Sequence, residues 1–527
     1  TLGGVVGGAA NLVKVGTGRV DLAVANTFTG ATVVAAGSLF LNGSGSATAS
    51  TGFTVAGGAS LTLDNSTTNV ADRVGNAAGI TLNGGTLSFV GSGTAASTET
   101  VGTITLAGGA NTINVANGAG QTAVVTSAAL ARSAGATVAF TGANLGTASN
   151  QLLFTSAPTL TNGILPYAAF GTADFAAYGA TGVAAFTGYA TSLGTATATS
   201  VVKLTAGDIV PAAGQTVAAV VFNGTGALTG GTLTVSTGAV LTATGTATVN
   251  AALAFGTAEG VLTTSTGATT TFAGTSGIAG TGGLTLAGTG TLNLNTKTTY
   301  SGNTTLNAGT VTLGTTGVVG AGTLALAGGT LQSAVGQTLG NALAFNASAD
   351  TFAGTAPLTF TGNATVTNPA GGTNALTVNN AMLIAAFVAM GVPLGFVEVL
   401  LVQLPIMSLA AITGVFLFSV QHRFETTLWA RRDAWSAVDA SLKGSSFLRL
   451  GPVLRWFTGN IGYHHIHHLS SRIPNYRLSA AHRGIAAAQD VPVLTLGAAL
   501  RNHRYALWDE TAGRMVSFGD SLRPKAA

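Results

Sequence analysis

Gly231-Thr232-Leu233-Thr234-Val235 places an apolar side chain at every second position, with threonine between. Two residues is the period at which side chains alternate across a pleated strand, so this stretch has one apolar face and one polar face. Ser60-Leu61-Thr62-Leu63-Asp64 and Gly322-Thr323-Leu324-Ala325-Leu326 read the same way. Gly-Gly, Asn-Gly and Ser-Gly pairs separate such runs about every 8 to 12 residues, the spacing and chemistry of turns between short strands. No helical period is found before residue 378.

The runs also repeat. Gly16 to Leu41 aligns without gaps on Gly288 to Leu313, an offset of 272 (288 − 16). Gly16, Gly18, Gly30 and Gly37 fall on Gly288, Gly290, Gly302 and Gly309, and Phe28 falls on Tyr300. Repeated short strands with glycine turns stack into a solenoid, where each rung buries its apolar side against the next. Residues 1–378 are therefore expected to form an all-β right-handed solenoid, a β-helix. These residues resemble the autotransporter-associated β-strand repeat of bacterial surface proteins, on Lys14-Val15-Gly16-Thr17-Gly18, Asn26-Thr27-Phe28-Thr29-Gly30 and Tyr300-Ser301-Gly302-Asn303-Thr304. The stretch Asn162-Gly163-Ile164-Leu165-Pro166-Tyr167 is similar to the same kind of passenger. The resemblance implies a cell-surface, outer-membrane type passenger or adhesin.

Composition divides the chain at the same place. All 7 His, 4 Trp and 4 Met lie after residue 378. Before it, 6 Lys+Arg face 8 Asp+Glu, a net of −2; after it, 14 face 8, a net of +6. The total of +4 over 527 residues is too small for the molecule as a whole to bind nucleic acid by charge. The absence of cysteine excludes disulfides, thiolate metal sites and cysteine catalysis. Within 1–378 the carboxylates are scattered. Glycine strings such as Gly224-Thr225-Gly226 lack the strand–loop–helix setting of a phosphate site.

From Ala381 to Val420 the chain is almost wholly apolar. Forty residues of helix would extend roughly 60 Å, about twice a hydrocarbon core. Pro393 and Pro405 interrupt the run, so the expectation over 379–420 is a transmembrane hairpin turning near Val402 to Pro405. The basic region that follows, 421–527, is then helical and cytosolic by the positive-inside rule.

Beyond it stands Asn460-Ile461-Gly462-Tyr463-His464-His465-Ile466-His467-His468. On a helix, His464, His467 and His468 share a face, and neutral imidazoles so grouped suit iron or zinc. His464-x-x-His467-His468, followed by Leu469-Ser470-Ser471-Arg472-Ile473-Pro474-Asn475-Tyr476-Arg477, resembles the third histidine box of membrane fatty-acid desaturases. The likeness is greatest to the bacterial acyl-lipid ω-6 (Δ12-type) group. Val420-Gln421-His422-Arg423-Phe424-Glu425 and Gly444-Ser445-Ser446-Phe447 fit the same pattern, and the resemblance covers about 381–485. It implies oxygen-dependent desaturation of membrane acyl chains by a di-iron centre, with electrons from a ferredoxin or cytochrome. It also implies iron ligands at His464, His467 and His468, a contribution from His422, and Asn460 near the iron through a water. Arg472, Tyr476 and Arg477 are read as structural or headgroup-facing, and His482 and His503 as solvated or capping.

The family carries three histidine boxes, yet no His precedes His422 here. The ligand set is incomplete, and desaturation by this chain alone is not expected. Three readings follow: a desaturase-like membrane protein of lipid metabolism joined to a surface solenoid; an exported solenoid that uses its C-terminal part as an anchor; or an artefactual fusion. Thr1 without an initiator Met or signal peptide is what a fragment would show.

Overall fold

The computed structural model describes residues 1–274, 277–314, 319–346, 349–366, 375–378, 392–393, 395–430, 435–470, 473–502 and 504–521. The chain divides into two compact units, Thr1–Ala386 and Phe387–Ala527.

The first unit is the expected β-solenoid. The alternating stretches are strands where the sequence places them: Ser60–Asp64, Thr232–Val235 and Leu324–Leu326. Rung stacks on rung in parallel register. Leu39 pairs with Leu61, Leu61 with Leu87, Leu87 with Ile113 and Ile113 with Phe140, and all five are buried. Part of the threonines between the apolar positions form outer rows, while Thr62, Thr242 and Thr285 are buried. Thr246, Thr269, Thr291, Thr310, Thr330, Thr351 and Thr377 stand in one continuous ladder.

The internal repeat is carried into three dimensions. Strands Arg19–Leu22, Thr32–Val34 and Ser38–Leu41 recur at the same offset as Thr291–Leu294, Thr304–Leu306 and Thr310–Leu313. Phe28 and Tyr300, the matched aromatics, are both buried. Gly30, Gly37, Gly302 and Gly309 sit where the backbone of the neighbouring rung comes too close for a side chain. A Cβ on Gly30 would lie 2.3 Å from Ala10 O, and one on Gly302 would lie 2.4 Å from Gly282 O. Gly37 and Gly309 add a left-handed φ, 66° and 78°, which glycine alone adopts without strain.

The stack is not one straight column. A first arm of parallel rungs ends in the antiparallel strands Ala168–Phe170, Asp174–Gly179 and Gly182–Ala185. A second arm begins at Val201–Leu204 and runs to Ala375–Val378. The second arm returns alongside the first. Ser265 Oγ donates to Thr172 O (2.7 Å), Arg132 meets Glu259 (2.9 Å), and Asn307 Nδ2 donates to Gly135 O (2.7 Å). From Thr172 back to Gly135 on the first arm the partner on the second advances from Ser265 to Asn307, so the arms run antiparallel. Where they join, Ile164, Phe175, Ala218, Ala219, Leu241 and Ala243 form an apolar cluster between them.

In the second unit, Phe396–His422 is one continuous helix of 27 residues, about 40 Å long at ~1.5 Å per residue. Its most apolar 18-residue window has a mean hydropathy of 2.1 and is only 6% buried, so the helix is long and apolar enough to cross a membrane by length and composition. The expected turn near Val402 to Pro405 is not there. Pro405 lies inside the helix. Most of the first half of the expected hairpin, 379–391, lies outside the described residues.

Around the C-terminal end of this helix gather short elements: Ala437–Lys443, Pro452–Phe457, His464–Leu469, Leu478–Gly484 and Leu496–Asn502, with Phe447–Arg449 paired in parallel to Val493–Thr495. Leu448, Leu450 and Ala499 close on Val420, Phe416 and Leu417 of the long helix. Tyr463, Ile466, Leu478 and Ala488 make a second small core.

Candidate metal centre

His464–Leu469 is a helix of only six residues, too short to be stable by itself. Tertiary contacts hold it. Ile466 is fully buried, and Tyr463 just before the helix stacks on Phe447 at 4.7 Å. With Ile466 facing inward, His464 and His468, one helical turn apart, fall on the side facing the end of the long helix. There they meet His422, its last residue.

The three imidazoles converge tip to tip. Nε2 of His422 is 3.0 Å from Nε2 of His464 and 3.1 Å from Nε2 of His468; His464 and His468 are 3.1 Å apart. Nδ1 of His422 lies 2.9 Å from the carbonyl oxygen of Gly444. A carbonyl only accepts, so Nδ1 carries the proton and Nε2 of His422 faces its neighbours as a lone pair. Burial, followed by the positive charge its neighbours would carry, holds His464 down to about 3, and the same causes lower His468. Neutral rings with lone pairs aimed at one point cannot satisfy one another fully by hydrogen bonding, but they fit a divalent cation. Imidazole donors suit zinc, iron, copper and nickel. The Gly444 carbonyl does for His422 what outer partners do for metal-binding histidines, fixing tautomer and ring orientation.

The other sequence-derived residues are placed as follows. His467 stands beside the group, its ring 5.8 Å from His464 and 6.0 Å from His468. It is not among the three whose donor atoms come together. Asn460 has a left-handed φ of 58° and gives its amide to Asn475 O at 3.2 Å. His465 is buried and bonded through Nε2 to Nδ1 of His482 at 2.9 Å, so His482 supports the core rather than standing solvated. Arg472 and His503 lie outside the described residues.

A cavity of about 410 Å³ opens beside the triangle, walled by His422, His468, Leu428, Trp435, Ala440, Ser441 and Gly444. The cavity has no signature in the sequence, because its small-residue wall comes from the helix Ala437–Lys443, which carries no motif. Ser436 caps that helix by accepting from the Asp439 N–H at 3.0 Å.

Residues 333–495 match the fatty acid desaturase family. The C-terminal part of the chain is similar to the fatty acid desaturases. A fatty acid desaturase of Bacillus subtilis (strain 168) is 43% identical over 141 residues, which is 27% of this chain and 40% of that protein. The chain thus spans well under half the length of the curated desaturase it matches. The desaturase match starts inside the solenoid, at 333, whereas the stacked strands continue to Val378. Residues 12–39 and 284–313 match the passenger-associated-transport-repeat, the two stretches that align in the sequence. The chain therefore joins a passenger-type repeat region to a desaturase-like region. No solved structure matches it.

Proposed function

We propose that the desaturase-like region is the closing portion of an acyl-desaturase site, holding one metal ion through His422, His464 and His468. The convergence of the three Nε2 atoms carries this reading. In the family it resembles the metal is iron, and bound iron supplies the activation of oxygen. His422 is oriented by Gly444, and His464 is kept neutral by burial. His467 is left on the adjoining side of the helix for a second ion that other segments would have to complete. The cavity walled by Leu428 and Trp435 is where a membrane acyl chain would approach, and a ferredoxin or cytochrome would supply electrons. No His precedes His422, so these 527 residues bind one ion and do not desaturate unaided.

Two measurements test this. Zinc or ferrous ion titrated into the full chain in detergent should bind at about one per chain, and His468→Ala should abolish the binding. Fatty-acid profiles of a host lacking its own desaturase should be unchanged by expression of the chain. Equal metal content in wild type and variant would overturn the site, and new unsaturated acyl chains would overturn the claim of inactivity. A second reading is favoured by the passenger-type repeats: the solenoid is a surface or adhesin-like body and the C-terminal region serves it as a membrane anchor.

A further inference from the structure

The short helix Pro452–Phe457 buries none of its residues. Trp456 is 76% exposed, Phe457 74%, Val453 68% and Leu454 45%, and Trp456 packs edge-on against Phe457 at 5.0 Å. Beside it lies the turn Asn475–Arg477, tied by the Asn460 amide to Asn475 O, with Tyr476 72% exposed. Large aromatic side chains that cover nothing within their own fold are unusual unless something else covers them.

Two observations say what that is. The first is continuity with the apolar helix. Leu448 and Leu450, immediately before Pro452, pack on Phe416, Leu417 and Val420 in its last turns. This places the aromatic helix at the level where the apolar helix ends. The second is charge. No Asp or Glu occurs between Asp439 and Asp490, while Arg449, Arg455, Arg472, Arg477 and Arg483 all fall in that stretch. Arg449 and Arg477 are exposed. Trp and Tyr with arginine at a membrane boundary are the composition of an interfacial anchor, and arginine there favours anionic headgroups.

We infer that Pro452–Phe457, with Tyr476, is a lipid-binding surface that lies in the headgroup layer of an anionic bilayer. It holds the histidine helix at a fixed depth, independently of whether a metal is bound.

The test uses the full chain with Trp429, Trp435 and Trp508 replaced by Phe, leaving Trp456 as reporter. The protein is reconstituted into vesicles of phosphatidylcholine with phosphatidylglycerol. Trp456 emission should shift to the blue relative to the unfolded chain. Lipid brominated near the headgroup should quench it more than lipid brominated near the chain end. Arg449→Gln with Arg477→Gln should reduce that quenching to the level seen in phosphatidylcholine alone. Water-like emission with full quenching by aqueous iodide would overturn the inference. So would a blue shift without bromine quenching, which would place Trp456 against protein. A second reporter, Trp456→Phe with Phe457→Trp, reads the same surface. Zinc content measured on the same samples separates a misfolded variant, or a failed metal site, from a failed lipid surface.

Discussion

Glu259 links the two arms of the solenoid through Arg132 and Gly135, and removing it should loosen them measurably. Its carboxylate accepts two bonds from Arg132 Nη2, at 2.9 and 3.0 Å, one from the Gly135 N–H at 3.0 Å, and one from the Thr285 hydroxyl. In Glu259→Ala the guanidinium stays, since Arg132 Nε also donates to Ala136 O and the group lies over the Tyr167 ring. It stays unpaired, however, with the Gly135 N–H. Breaking a fully buried pair costs roughly 3–5 kcal/mol, and losing an exposed one about 0–1 kcal/mol. The two side chains are 19% and 20% exposed, so water recovers part of the loss and about 2 kcal/mol is expected. At ~1.4 kcal/mol per decade that is about a thirtyfold change. A solenoid opens locally, so amide hydrogen exchange is the right assay and a single melting temperature is not. Amides of 130–139 and 260–264 should exchange about thirtyfold faster, while those of the far rungs around Ser38–Leu41 should be unchanged. A double-mutant cycle with Arg132→Ala isolates the pair itself. Exchange within threefold of wild type, with a coupling under ~0.5 kcal/mol, would refute the idea that this contact closes the arms.

Gly309→Ala combines a φ of 78° with a Cβ 2.5 Å from Gly288 O, and should destabilise its rung by about 2 kcal/mol or more; Gly58→Ala, with a φ of 73° and open space around it, should cost about half that, both read by exchange. Burial raises Glu99 to about 8 from 4.5, against N–H donation from Arg73 and Val74. The folded chain therefore keeps a proton that the unfolded chain releases. That contribution is complete below 4.5 and is lost as pH rises through 8. Local opening of the rung at Ser97–Val101 should ease over that window, and Glu99→Gln should flatten the trend. His467→Ala should leave binding of the first metal ion within about tenfold of wild type, the lower end of the loss that outer-shell changes cause, whereas His464→Ala should abolish it. Residues 1–378 expressed alone should show a strand-dominated circular dichroism spectrum, and more than about one-third helix would contradict the fold described.

The solenoid was legible because burying one face of a strand imposes a two-residue alternation, and glycine repeats mark where rungs touch backbone to backbone. The return of the second arm was less legible, though it left a trace. At Ala218-Ala219-Val220-Val221-Phe222 the alternation lapses into a continuous apolar run, all of it buried. That is the mark of a strand covered on both faces. At the metal centre, helical spacing brought out His464 and His468 but also His467, because spacing defines a face and not what stands opposite it. His422 completes the group across 42 residues of sequence, through packing of Leu448 and Leu450 on the long helix that no local pattern encodes. Pro405 interrupts the pattern in the sequence, yet it sits within the helix, since a proline removes one backbone bond without having to end the segment.

The antiparallel arms bear on how the solenoid would carry load. A straight column pulled from its two ends would strain every rung in series. Here the chain turns back, so the first rung and the last lie toward the same end of the pair. Tension applied there would act on the contacts between arms one after another, as in opening a zipper, beginning at the free end and reaching Glu259, then the apolar seam at Phe175 and Leu241, only at the close. Such a body would yield gradually at low force and re-close when released, while the rungs within each arm remained intact.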